Sequence, residues 1–218
     1  MSMRFISYLL DLLFPPKCVF CRTIMDNNYD LICSNCKKEL PHTQNGGILK
    51  GNFFTSCVSP LYYENEVREA LLRYKFYQLT AYAEPLGKLL AECVEEYIEE
   101  QVDIISWVPL SKKRLRSRGY DQAHLLAKVV SKELDIPCSS VLKKTRHTAP
   151  QSRTGSGDQR RKNIAGAYEV IDKKLIDGKV ILLIDDIVTT GSTFAECART
   201  LGKGGADKVY CAAVARKR

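Results

Sequence analysis

The sequence feature that most constrains this chain is the segment 180–193, which reads VILLIDDIVTTGST. Its first five residues, Val180–Ile184, are all apolar, which predicts a parallel strand covered on both faces. Asp185 and Asp186 follow where such a strand would leave the sheet, and a small-residue turn precedes a helix-like run at 194–201. This order predicts a phosphate cradle, because the free N–H groups of a first helical turn and the helix dipole both favour an anion.

The composition of the cradle narrows the class of ligand. The segment lacks the lysine of a Walker loop and the G-x-G-x-x-G spacing of a dinucleotide site. Two adjacent carboxylates before a phosphate cradle predict a ligand with vicinal hydroxyls beside its phosphate, as in ribose 5-phosphate. The alternative is a buried strand that ends in a solvated Asp-Asp turn and a helix cap. A cap needs only one Ser or Thr, whereas this turn has four hydroxyl residues.

The segment resembles the phosphoribosyl-pyrophosphate (PRPP) loop of type I phosphoribosyltransferases in its apolar run, its two acids and its Thr/Gly/Ser turn. The resemblance implies that Asp185 and Asp186 are the catalytic acids and contact the ribose 2′ and 3′ hydroxyls. It also implies that Mg²⁺ is held mainly by oxygens of the ligand. The residues implied to bind the 5′-phosphate are Thr189, Thr190, Gly191, Ser192 and Thr193.

Four of the nine cysteines form two C-x-x-C pairs near the N-terminus, with eleven residues between the pairs. Four thiolates with no open position predict a closed, tetrahedral structural zinc site. Disulfides are the alternative, although nothing in the sequence indicates an oxidising compartment, and an iron–sulfur cluster is a further one. A module of about 40 residues has too small a core to fold alone, so the metal would supply its stability. The predicted zinc ligands are Cys18, Cys21, Cys33 and Cys36.

The net charge of +8 is concentrated in one part of the chain. Residues 111–162 carry 14 basic and 4 acidic groups, a difference of +10, among many Gly, Ser, Thr and Gln residues. This composition predicts loops that bind pyrophosphate or a nucleic-acid backbone, with a solvated basic surface as the ordinary alternative. By the same resemblance, 111–119 is the pyrophosphate loop and 143–163 is a long loop that closes over the ligand. The predicted contacts are Lys112, Lys113, Arg114, Arg118 and Arg146.

The rest of the pattern predicts an α/β fold, a parallel sheet flanked by helices. A Gly-containing linker predicts two domains, 1–50 with a helix and the zinc module, and 51–218 with the sheet. Arg73 and Lys75 could line a site, although a solvated face is the favoured interpretation. Asp11 interrupts the N-terminal apolar stretch, and no apolar run reaches the roughly 18 residues of a membrane helix, so neither a signal peptide nor membrane insertion is predicted.

Strands are predicted at 57–63, 103–109, 138–142, 167–171, 179–184 and 208–215, and helices at 5–14, 66–76, 83–100, 123–134 and 194–201.

A set of motifs runs along the whole chain: Phe14-Pro15-Pro16, the two C-x-x-C pairs, Lys75-Phe76, Val108-Pro109-Leu110, Arg118–Ala123, Arg146-His147-Thr148 with Gln151, Arg161–Ile164 and the PRPP loop. Together these motifs resemble the ComF (competence protein F, or GntX-like) family. The family usually has Asn where this chain has Asp121. The resemblance implies a cytoplasmic protein with a zinc ribbon on a type I phosphoribosyltransferase-like domain. It further implies a role with single-stranded DNA and with competence-machinery proteins in natural transformation.

These observations leave three functions open. The first is a protein that binds PRPP or a phosphorylated nucleotide end together with single-stranded DNA. The second is an active phosphoribosyltransferase that moves ribose 5-phosphate to a nucleobase-like acceptor. The third, a purely structural partner, is disfavoured by the intact PRPP loop. We also hypothesise that the zinc module is a hood, with the acceptor or nucleic acid between it and Thr189–Thr193.

Overall fold

The fold is described by a computed structural model that covers residues 15–25, 31–146 and 164–218. The predicted helix at 5–14 and most of the polar tract at 143–163 lie outside these ranges. The strands within them are β1 (Cys57–Val58), β2 (Leu61–Tyr62), β3 (Ile104–Trp107), β4 (Leu142–Lys144), β5 (Tyr168–Val170), β6 (Val180–Val188) and β7 (Lys208–Arg216).

A parallel sheet forms the centre of the molecule, in the order β1-β7-β6-β3, with β2 also paired to β7. Strands β4 and β5 form a separate antiparallel pair. The single strand predicted at 57–63 is wrong: Pro60 separates β1 from β2, because proline has no N–H for the ladder. The prediction at 138–142 is also displaced, since Cys138 makes only an isolated bridge to Ile105 and the strand begins at Leu142.

Helices cover both faces of the sheet, which confirms the predicted fold class. The prediction of a loop at 111–119 is wrong, because a helix forms there. No helix in the described ranges is both long and apolar enough to span a bilayer. The helices are α1 (Ser34–Glu39), α2 (Asn65–Phe76), α3 (Ala83–Tyr97), α4 (Lys112–Arg118), α5 (Gln122–Leu134), α6 (Lys173–Ile176) and α7 (Ser192–Gly204).

Strand β6 is buried on both faces, as its uninterrupted apolar run predicts. Successive strand residues point to opposite sides, so Leu182 and Ile184 pack in one cluster with residues of α2, α3 and α5. Ile181 and Leu183 pack on the other side with residues of α7. Each of these four side chains is fully buried. The two cores fix the end of β6, where the candidate site lies.

The zinc module packs on the α2 side of the sheet. Its buried residues belong to the same cluster as Leu71 and Tyr74 of α2. The Arg73 Nη2 atom donates hydrogen bonds to the backbone carbonyls of Val19 (2.9 Å) and Phe20 (2.8 Å), inside the first C-x-x-C knuckle. The interpretation of Arg73 as part of a solvated face is therefore wrong. The division at residue 50 stays a prediction.

Candidate functional site

The two acids lie near the carboxyl end of β6, inside the strand. The apolar run predicts a strand end at Ile184, but pairing with β7 continues to Val188, which is opposite Arg216. Strand β7 is long enough to continue the hydrogen-bond ladder of β6 past the two acids, so the acids are held on a rigid element. Asp186 is only 6% exposed, and its backbone N–H donates to the Asp185 Oδ1 atom at 2.8 Å.

The turn after β6 leads directly into α7, as predicted. Gly191 is in the left-handed region (φ 70°), and a Cβ atom there would lie 3.2 Å from the Leu49 Cδ2 atom. The hydroxyls of Thr190 and Ser192 are 2.7 Å apart. Gly191, the N-cap residue of α7, has no side chain to cap the helix, and the Ser192 N–H donates to the Thr190 Oγ1 atom at 3.4 Å. Such a helix start, at the end of a parallel strand, is suited to bind a phosphate.

Lys75 makes an ion pair with the acids. Its Nζ atom lies 2.7 Å from the Asp186 Oδ2 atom, and the two side chains are 24% and 9% exposed. The interpretation of Lys75 as part of a solvated face is wrong, because α2 directs this residue at the end of β6. The backbone carbonyl of Lys75 also accepts a hydrogen bond from Gln122 at 3.3 Å, which ties α2 to α5.

The environment shifts the pKa values of the two acids in opposite directions. Burial, and then the charge of Asp186, raise the pKa of Asp185 well above its ordinary value. Burial also acts to raise the pKa of Asp186, but the Lys75 ammonium outweighs it, and the pKa of Asp186 is lowered. Asp185 therefore holds its proton more readily than an ordinary aspartate, whereas Asp186 is a carboxylate paired with Lys75. Such divided pairs are common where protons or charged ligands are handled.

The predicted pyrophosphate contacts lie on a helix, α4, rather than on a loop. Ser111 caps this helix by accepting a hydrogen bond from the Arg114 N–H (3.4 Å), and Gly119 ends it in the left-handed region. Both residue types are cap signals that the sequence shows. Arg114 and Arg118 face Lys75, whereas Lys112 and Lys113 are exposed elsewhere on α4. A cleft of about 400 Å³ is lined by Lys75, Phe76, Gln78, Arg114, Ser117 and Arg118.

Two cations near the polar tract have defined contacts. Arg146, a predicted ligand contact, is exposed and donates to the Ala165 carbonyl at 2.6 Å. The sequence did not indicate a role for Lys144, whose Nζ atom lies 3.0 Å from the Tyr168 hydroxyl. Burial, followed by the charge of Arg114, lowers the pKa of Lys144 to about 8. Lys144 is therefore a further cation held close to Arg114.

The four predicted zinc ligands come together. Their sulfur atoms all lie within 4.8 Å of one another, and the Cys21 and Cys33 sulfurs are 3.6 Å apart. Four sulfurs about 2.3 Å from one tetrahedral ion would be separated by about 3.8 Å, so the cluster fits zinc. The backbone N–H groups of Cys33 and Cys36 point at the Cys18 and Cys33 sulfurs, both at 3.4 Å, as expected around thiolates.

Comparison with known proteins agrees with this architecture. The chain matches the phosphoribosyl transferase domain family over residues 121–218 and the double zinc ribbon domain family over residues 9–46. Competence protein F of Haemophilus influenzae is 28% identical over 222 residues, which cover 92% of this chain and 96% of that protein. The chain is therefore similar to a ComF-family protein over nearly its whole length. The resemblance predicted from the motifs is thereby confirmed.

Two further matches cover a smaller part of the chain. The DNA utilization protein YhgH of Escherichia coli O157:H7 is 37% identical over 112 residues, which are 50% of this chain and 48% of that protein. Among solved structures, glutamine PRPP amidotransferase from B. subtilis superposes with a TM-score of 0.43 at 19% identity. That superposition covers 65% of this chain and 30% of the amidotransferase.

The Lys75–Asp186 pair predicts a pH-dependent loss of stability. Because the folded pKa of Asp186 is lowered, the pair stabilises the fold above the ordinary pKa of about 4, and this contribution disappears as pH falls through the folded pKa. Lys75→Met should lower the free energy of unfolding by about 1–3 kcal/mol at pH 7, less than for a fully buried pair because Lys75 is partly exposed. Urea unfolding at pH 7 and pH 3 measures the difference, which should be smaller at pH 3.

Lys88→Met is the matched control, because it removes a lysine from an exposed pair with Glu84 (3.1 Å). Its expected effect is below about 0.5 kcal/mol at either pH. Equal losses for the two variants at pH 7 would contradict the assigned importance of the Lys75–Asp186 pair.

Proposed function

We propose that this chain binds PRPP, with Mg²⁺, at the carboxyl end of β6. The observation that carries the proposal is the succession of an acid pair, a left-handed glycine and the start of α7 at one rigid strand end. Asp185 and Asp186 bind the ribose hydroxyls. Mg²⁺, held mainly by the ligand, neutralises its pyrophosphate. The 5′-phosphate is bound by Thr189, Thr190, Gly191, Ser192 and Thr193.

The pyrophosphate lies in the cleft beside α4. Arg114 and Arg118 line this cleft with Lys75, close to the acid pair. Lys112, Lys113 and Arg146 are exposed and supply further positive charge around it. A ligand that carries several negative charges is stabilised by so many cations. Binding of the ribose hydroxyls by Asp186 would replace its contact with Lys75, which makes that lysine available to the pyrophosphate.

The binding is proposed to serve the handling of single-stranded DNA during natural transformation, together with proteins of the competence machinery. Two observations support this part. One relative is a competence protein and another is a DNA utilization protein. Residues 111–162 carry 14 basic and 4 acidic groups. The negatively charged backbone of a nucleic acid attracts such an excess of positive charge.

An active phosphoribosyltransferase is the second candidate, and the divided acid pair beside an open cleft favours it. An acceptor nitrogen would attack C1′ of the ribose as the C1′–O bond to pyrophosphate breaks, and the pyrophosphate would leave with both electrons of that bond. Asp186 would accept the proton released by the acceptor. Positioning and charge stabilisation would supply most of the rate. Release of pyrophosphate that depends on an added nucleobase would support turnover; PRPP binding without such release would favour the first candidate.

Isothermal calorimetry with PRPP and Mg²⁺ tests the pocket. Thr190→Val keeps the side-chain shape but removes one donor to the 5′-phosphate, so the affinity should fall about tenfold or more. Thr200→Val is the matched control, because it removes a hydroxyl from the same helix whose partner is the Glu196 carbonyl. The control should keep the wild-type affinity. Absence of PRPP binding by the wild-type chain would overturn the proposed pocket.

A further inference from the structure

Two aromatic side chains at the end of α2 are exposed in this chain. The Phe76 side chain is 60% exposed, and that of Tyr77, the next residue, is 71% exposed. Neighbouring aromatic rings in water are unfavourable unless a partner covers them. The Arg118 guanidinium lies 5.3 Å from the centre of the Phe76 ring, so a cation already borders that ring.

The surface next to these rings is strongly basic. Helix α4 has five cations and no acid in seven residues, and its Arg114, Ser117 and Arg118 form one wall of the cleft that Phe76 and Lys75 also line. Rings for stacking beside a row of cations are the features of sites that bind single-stranded nucleic acid. A duplex fits less well, because its bases are paired and cannot stack on a protein ring.

We infer that Phe76 and Tyr77 form a platform on which bases of a single strand stack, while the α4 cations contact its phosphates. The inference rests on the DNA-binding part of the proposed function and names its site. Lys75, the residue before the platform, reaches Asp186 and lines the same cleft as Arg114 and Arg118, so the strand and the pyrophosphate of PRPP would compete for these two arginines. No sequence pattern predicts this platform, because exposure of Phe76 and Tyr77 depends on how α2 packs.

Fluorescence anisotropy with a labelled oligothymidylate, measured over a range of salt concentrations, tests the platform. Phe76→Ala/Tyr77→Ala should weaken binding about 5- to 150-fold for each base that loses its stacking partner. The slope of log affinity against log salt should stay the same, because the α4 cations still bind the phosphates. Phe76→Trp/Tyr77→Trp should restore the affinity. Arg114→Gln/Arg118→Gln should instead make the slope shallower by about 0.7 for each phosphate that is no longer bound.

Phe53→Ala is the matched control, since Phe53 is 53% exposed but lies outside the cleft lining. It should bind the strand as the wild type does. Unchanged affinity of Phe76→Ala/Tyr77→Ala, with a wild-type chain that binds the strand, would overturn the platform and leave the proposed function standing. A wild-type chain that binds PRPP but not the strand would overturn the DNA part of that function as well. Equal affinity for a duplex, for thymidine monophosphate or for an acidic peptide would also contradict the inference.

Discussion

Removal of the metal from the four-cysteine cluster is expected to unfold the zinc module. Structural zinc sites of this kind contribute about 10–16 kcal/mol at neutral pH, far more than a 40-residue module gains from its own core. Cys18 and Cys36 are buried in the same cluster as Leu71 and Tyr74, so loss of the module also uncovers part of the main core. The chain should therefore melt at a lower temperature without metal.

The experiment compares the wild-type chain with Cys36→Ser. The variant should lose its zinc, measured by mass spectrometry of the metal, and trypsin should cut within residues 15–46 much faster. Cys138→Ser is the matched control, because Cys138 is only partly buried and lies outside the cluster of four sulfurs. A metal-free chain with the melting temperature and the trypsin resistance of the wild type would show that zinc does not hold this module.

Replacement of both acids at the end of β6 is expected to abolish PRPP binding. A hydrogen bond to a charged group contributes about 1.5–3 kcal/mol and one to a neutral group about 0.5–1.5 kcal/mol, so loss of both should lower the affinity of Asp185→Asn/Asp186→Asn at least about thirtyfold. Calorimetry with PRPP and Mg²⁺ measures this loss. Asp207→Asn, which changes an exposed acid just before β7, is the control and should bind normally. Equal affinity of the double variant and the control would exclude the acids from the site.

Asp185→Asn alone should also make the folded chain more stable at pH 7. Because the pKa of Asp185 is raised in the folded state, its ionisation opposes folding, and stability falls as pH rises from about 4 towards the folded pKa. Asparagine removes this effect and can still accept the hydrogen bond from the Asp186 N–H. Urea unfolding should show a gain at pH 7 that is absent at pH 3. A variant that binds PRPP poorly and is also less stable at pH 7 would contradict this account.

Short stretches of sequence were enough to predict the parts of the site that depend on neighbouring residues. The apolar run of β6, the Thr/Gly/Ser turn and the start of α7 follow from burial and backbone hydrogen bonding over a short distance in the chain. The two C-x-x-C pairs likewise specify a metal cluster, because their spacing matches one tetrahedral ion. The zinc module and the cradle could therefore be predicted without coordinates.

The surroundings of the cradle, in contrast, depend on long-range packing. Lys75 and Asp186 are 111 positions apart in the chain, and they meet because α2 packs across the end of β6. The length of β6 is likewise set by its pairing with β7, which keeps Asp185 and Asp186 inside the ladder. Local patterns specify which face of an element is buried, but the direction in which packed elements point their polar side chains depends on all of their contacts together.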